Sequence, residues 1–178
     1  MKKSLVAGAL LMVLLCAGPV RGLCQDYGVS LGYGFAAFNK DNSTGKIQGG
    51  KSYSFIQATF LYEKPLSPRE LALVVEPFAS YVDKPSSGAE GGFDLGLKYY
   101  PFQTQKGGLY LTAGPGMAYS SVGFQDQGTN LLFVIQGGIG YRYKNLFIED
   151  RFRNYSNWGT ASPNGSINAN IITLGTYF

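Results

Sequence analysis

The sequence predicts an all-β protein, an eight-stranded antiparallel up-and-down transmembrane β-barrel behind a cleaved signal peptide. Three observations carry that prediction. The N-terminus has an apolar run too short to cross a bilayer. The chain is rich in glycine and aromatics, with 25 Gly, 13 Tyr and 12 Phe. Beyond residue 25, large apolar side chains alternate with small or polar ones in segments of about ten residues, the length and period of a membrane strand.

Lys2 and Lys3 form a positive start, and Leu5 to Cys16 form the apolar stretch. That length suits the hydrophobic region of a signal peptide and is short of the roughly 20 residues of a spanning helix. Small residues follow, and cleavage is expected between Gly22 and Cys24. Neither Cys16 nor Cys24 follows Gly, Ala or Ser, which argues against a lipoprotein signal. Residues 1–24 are therefore assigned to the signal peptide and 25–178 to one barrel domain. Of the net charge of +4, most belongs to Lys2, Lys3 and Arg21, so the basic balance is no sign of a nucleic-acid partner. At most one cysteine survives processing, which excludes an internal disulfide. Nothing in the sequence has the spacing of a P-loop or a metal cluster, and no cofactor is expected.

Strand 1 shows the alternation most clearly. Tyr27, Val29, Leu31, Tyr33 and Phe35 share one face, and Gly28, Ser30, Gly32, Gly34 and Ala36 share the other. A small second face is what a narrow lumen requires. Strand 2 is expected over Tyr53–Glu63 with Ile56, Ala58, Phe60 and Tyr62 outward. Strand 3 is expected from about Glu70 to Tyr81, with Leu71, Leu73, Val75 and Tyr81 outward and Glu76, Phe78 and Ser80 inward. In strand 4, Phe93, Leu95, Leu97 and Tyr99 oppose Gly92, Asp94, Gly96, Lys98 and Tyr100. Strand 5 runs Leu109–Tyr119 with Tyr110, Thr112, Gly114 and Gly116 inside. In strand 6, Leu131, Phe133, Ile135, Ile139, Tyr141 and Tyr143 oppose Val134, Gln136, Gly138, Gly140 and Arg142. Strand 7 starts at Leu146, and strand 8 ends at Phe178.

Polar loops at Asn39–Lys51, Lys84–Glu90, Val122–Asn130 and Trp158–Gly165 alternate with tighter turns at Lys64–Pro68, Pro101–Gly108 and Lys144-Asn145. Long loops outside and short turns inside are the outer-membrane arrangement. Tyr27, Tyr62, Tyr99, Tyr141, Tyr143 and Phe178 are expected at the periplasmic rim, and Tyr33, Phe35, Tyr53, Tyr81 and Tyr119 at the other. The same parity points Glu63, Glu76, Asp94, Lys98, Arg142, Glu149, Arg151 and Arg153 into the lumen. Charges in so narrow a space must pair, so a salt-bridge network is expected in place of a pore. Asp150 points outward on this parity, which is awkward in lipid and marks either a bulge or an error of register. The terminal Tyr177-Phe178 resembles the signal that outer-membrane barrels present to their assembly machinery.

The last third contains Arg151-Phe152-Arg153-Asn154-Tyr155-Ser156-Asn157, then Pro163-Asn164-Gly165 and a final strand. This pattern resembles the lipid A 3-O-deacylases of the PagL type, whose signature is a strand with His-x-Ser-Asn, a Pro-Asn loop and a strand supplying Glu. Val75-Glu76-Pro77-Phe78 and Gly138-Ile139-Gly140-Tyr141 are similar to that family too. The resemblance implies a bacterial outer-membrane location, lipopolysaccharide and its lipid A as partner, and ester hydrolysis on the lipid-facing outer wall by Ser, a His base and an orienting Glu. Matched by position, Ser156 falls on the nucleophile and Asn157 beside it as a substrate-binding residue. Asn154 falls on the base and Asn168 on the orienting acid. An amide takes no proton near neutral pH, and the chain has no histidine at all. The implied site is therefore a degenerate one.

Plainer readings stand beside these. Ser156-Asn157 suits a strand end, Pro163-Asn164-Gly165 suits any turn, and Asn154 and Asn168 suit an interface with lipid headgroups. Lys40, Lys46 and Lys51 fit either solvation or lipopolysaccharide phosphates. The competing function is a non-enzymatic adhesion or envelope-stability barrel. A soluble lipocalin-like barrel fails because it needs polar outer faces and an apolar interior.

Overall fold

The computed structural model describes residues 26–37, 53–66, 71–102, 107–124 and 127–178. The signal segment, its cleavage site and the Asn39–Lys51 loop with its three lysines lie outside them. The described chain forms eight strands: β1 Asp26–Ala36, β2 Ser54–Pro65, β3 Leu71–Lys84, β4 Gly88–Tyr99, β5 Gly107–Ser120, β6 Leu131–Tyr143, β7 Leu146–Ser156 and β8 Ile167–Tyr177. Each pairs antiparallel with its neighbour in sequence, and β8 closes on β1 through Gly28–Tyr177 to Ala36–Ala169. An eleven-residue strand such as β7, rising about 3.3 Å per residue and tilted roughly 40°, covers about 28 Å of membrane normal, enough for an apolar band of about 25 Å.

The expected facing holds. Leu31, Tyr33, Ile56, Phe93, Leu95, Leu97, Leu111, Ile135, Ile139 and Leu174 are exposed on the outer wall. The inner face is built small where strands need room. A Cβ on Gly92 would lie 2.0 Å from the Met117 carbonyl oxygen, and one on Gly114 would lie 2.1 Å from that of Leu95. Both neighbours are backbone, so neither glycine can be replaced without moving a strand.

The lumen is filled in three layers. Nearest the periplasmic turns, Lys98 lies between Glu63 and Glu149 at 3.6 and 3.9 Å, with its Nζ also 4.8 Å from the Tyr110 ring. Tyr177 Oη accepts from Lys98 (2.8 Å) and donates to Glu63 (2.7 Å), so the final strand is tied to β2 and β4 across the interior. Tyr100 and Tyr110 donate to Glu63 and Glu149 at 2.7 and 2.8 Å. In the middle layer, Arg151 holds Glu76 and Glu149, and Arg153 holds Asp94. Gln57 and Gln136 accept from Arg153 at 2.9 and 2.8 Å. The layer toward the loops is apolar and aromatic, built from Phe55, Phe78, Val82, Phe124, Leu132 and Val134 among others. A salt-bridge network capped by hydrocarbon leaves no open channel through the described barrel.

Several boundaries and two side chains differ from expectation. Strand 2 begins at Ser54 and runs to Pro65, β3 continues to Lys84, β5 covers Gly107–Ser120, and β8 stops at Tyr177. The expected Lys84–Glu90 loop shrinks because β4 begins at Gly88, held by the Ala89–Ser121 backbone and hydroxyl bonds at 2.8 Å. Glu90 thereby faces inward. Tyr53, expected in the outer girdle, is buried in the lumen and donates to Glu90 at 2.8 Å. It shares parity with Phe55 and Gln57, both inward, and inner-layer packing against Phe124 holds it there. Arg142 reaches Asp26 at the rim, 2.8 Å away, a partner that the sequence reading did not assign.

Candidate functional site on the outer wall of β7 and β8

Alternation sends Leu146, Ile148, Asp150, Phe152, Asn154 and Ser156 of β7 outward, and Asn168, Asn170, Ile172 and Leu174 of β8 with them. The lower part of this face is hydrocarbon and the upper part is amide and hydroxyl. Asn154 and Asn168 are direct partners in the β7–β8 register, and Asn154 Nδ2 donates to Asn168 Oδ1 at 2.6 Å. Ser156 is one outward step above Asn154, at the strand end, opposite Phe133 of β6. Its Oγ accepts the Trp158 backbone N–H at 3.2 Å. The strands therefore bring Ser156, Asn154 and Asn168 to one patch, a step apart along the pleat.

Asn157 alternates the other way and is completely buried. Its backbone N–H donates to Asn164 Oδ1 at 3.0 Å, and its Nδ2 donates to the Ala161 and Pro163 carbonyls at 3.0 and 2.8 Å. Its Oδ1 accepts from Gly159 N at 2.9 Å. This side chain sits inside the 157–166 loop and fixes it. Asn164, read from sequence only as part of a turn signal, faces Gln127 in an isolated bridge and so joins this loop to the one before β6.

Asp150 keeps its outward position without any bulge, since β7 pairs with β6 and β8 in unbroken register. Asn170 Nδ2 donates to Asp150 Oδ1 at 3.0 Å, and the Asn170 amide oxygen is shielded without a partner. Asn170 was not singled out from sequence, although it shares the parity of Asn168.

The chemistry of the patch follows from its groups. A serine hydroxyl becomes a nucleophile only when a neighbouring base removes its proton. The pair beneath it consists of two carboxamides, which donate and accept hydrogen bonds without changing charge near neutral pH. Among the described residues, the nearest outward carboxylate on these two strands, Asp150, is six residues below Ser156, about 20 Å along the strand. The patch is built to hold a polar group by neutral hydrogen bonds while the wall below holds hydrocarbon.

A closed eight-stranded antiparallel sheet with an apolar exterior, aromatic rims and an ionic lumen defines an outer-membrane β-barrel. The model of the family lipid A 3-O-deacylase (PagL) matches residues 28–177, and the chain belongs to that family. Among solved structures, a crystal structure of the outer membrane enzyme PagL is similar, with a TM-score of 0.65 at 19% sequence identity over 85% of this chain and 98% of that one. At that identity the likeness is one of fold. The comparison with curated proteins found no match. The protein resides in the bacterial outer membrane.

Proposed function

We propose that this barrel engages lipid A of lipopolysaccharide on the outer wall of β7 and β8, with acyl chains along the wall and the polar head at the Asn154–Asn168–Ser156 patch, and that it does not run the Ser-His-Glu hydrolysis implied by the family resemblance. One observation carries this reading: the two positions matched to the base and its orienting acid are Asn154 and Asn168, bonded to each other at 2.6 Å. The patch keeps the hydrogen-bonding capacity of a polar site and lacks a proton acceptor of suitable pKa. We further propose that residues 1–24 direct export and that Tyr177-Phe178 is presented to the barrel-assembly machinery.

The test is the mass of lipid A from cells expressing the full chain. Unchanged lipid A, with saturable binding of lipid A by the purified barrel, is the expected result. Loss of one acyl chain that disappears in Ser156→Ala would overturn the non-hydrolytic reading. The double variant Asn154→His with Asn168→Glu is expected to gain measurable deacylation, because register already places both positions on one rung. A folded but inert double variant would count against the residue matching.

A further inference from the structure

Above Ser156 stands the chain's single tryptophan, Trp158, whose side chain is 74% exposed. It is unlike the rim aromatics Tyr33, Phe35, Tyr81 and Tyr119, which occupy ordinary strand positions along the wall. Trp158 has a left-handed φ of 51°, disfavoured for a residue with a Cβ. Burial of the ring does not hold it there. The loop does, through buried Asn157, whose side chain fastens Gly159, Ala161 and Pro163 and whose carbonyl accepts from Thr160 N (3.0 Å) and Oγ1 (2.7 Å). The ring meets Phe133 edge-on, with centroids 5.4 Å apart at 85°. Phe133 is the register partner of Ser156. An exposed aromatic face is thus fixed at the height of the polar patch, before any ligand arrives.

The surrounding chemistry selects what that face meets. Loop 157–166 carries no charged side chain; its polar groups are Asn157, Thr160, Ser162, Asn164 and Ser166. The patch beneath it is equally neutral, and the one charged group on the outward faces of β7 and β8, Asp150, lies at the level of the tails. Among the described residues, this face offers a cationic head no carboxylate and a phosphate no base. An aromatic face ringed by amides and hydroxyls instead matches a sugar ring, whose C–H face packs on the indole while its hydroxyls find neutral partners.

Resting on the reading of this wall as a glycolipid site, we propose that Trp158, braced by Phe133, is a stacking platform for a pyranose ring of the headgroup and sets the preference for glycolipid over phospholipid.

The experiment uses the full-length refolded barrel in amine-oxide micelles, which contain no sugar, and reads Trp158 fluorescence during titration with lipid A, glucosyl diacylglycerol or phosphatidylglycerol. A saturable blue shift with both glycolipids and none with phosphatidylglycerol is expected. In a separate binding assay with labelled lipid A, Trp158→Ala should weaken affinity about fivefold to tenfold and Trp158→Tyr by less than twofold, with heat-modifiable gel mobility unchanged. Equal shifts with all three lipids would make Trp158 an interfacial anchor and overturn the proposal. A shift with lipid A and not with glucosyl diacylglycerol would also overturn it, since the phosphates would then be what is read. Undiminished binding of labelled lipid A by the Ala variant would overturn the platform while leaving the glycolipid wall standing. Absence of lipid A binding by the unsubstituted barrel would remove the wall itself.

Discussion

The barrel carries polar groups on both sides of one sheet, and the two sets are organised oppositely. Inside, Arg151 and Arg153 are ringed by carboxylates, glutamines and phenols, and Lys98 is held by two glutamates and three aromatic rings. Outside, the patch on β7 and β8 consists of two amides and a hydroxyl on the outward face, with one carboxylate below. Alternate residues of the same strand serve both: Arg151, Arg153 and Tyr155 turn in while Asp150, Asn154 and Ser156 turn out. The two arrangements follow from their surroundings. A buried charge has its partners supplied by the fold, because leaving it alone is costly. On the wall the fold supplies neutral partners: Asn154 bonds to Asn168, and Ser156 Oγ accepts from Trp158 N.

The lumen is the more fragile of the two sides. Arg153→Met removes the main partner of buried Asp94, leaving it with Arg151 at 3.9 Å. We expect a loss of roughly 3–5 kcal/mol in urea unfolding from micelles, largely restored when Asp94→Leu is added. A loss below about 1 kcal/mol would show that water enters the lumen and solvates the carboxylate. Gly92→Val tests the same interior by volume. Its side chain would press on the Met117 carbonyl and Ala118 Cα, and a cost of about 1–3 kcal/mol by the same assay is expected. The smallest effect belongs to the outer wall. Asn154→Leu with Asn168→Leu deletes both partners of one hydrogen bond on a lipid-facing surface, so stability should stay within about 1 kcal/mol. Lipid A affinity, measured by labelled-ligand binding, should nonetheless fall. A large stability loss here would make the amide pair structural.

Facing was legible in the sequence because a strand's period of two is local, and the lumen keeps it except at the Ser54/Phe55 irregularity, where consecutive residues are buried. Gly28, Ser30, Gly32 and Gly34 announced β1, and all eight expected lumen charges turn inward. Boundaries were less legible. Pairing between Ala89 and Ser121 extends β4 across residues whose composition reads as loop, and so Glu90 entered the lumen unannounced. Tyr53 shows a different limit: as a residue type it fits a girdle, and only its parity with Phe55 and Gln57 gives its true side. At the patch, Asn154, Asn168 and Ser156 were picked out by the family resemblance, matched position by position along the sequence. The Asn154–Asn168 contact and the fixing of Trp158 by Asn157 needed register and loop geometry, which depend on residues far apart in the chain.

The last inward side chain of the barrel, Tyr177, bonds to Glu63 of β2 and Lys98 of β4. The bonding of those two charged residues is therefore complete only when β8 is in place. Until the final hairpin docks, the interior ions have strong reason to stay in water, and a partial sheet gains little by entering lipid alone. Closure of β8 on β1 therefore completes the ionic interior in the same step as the sheet.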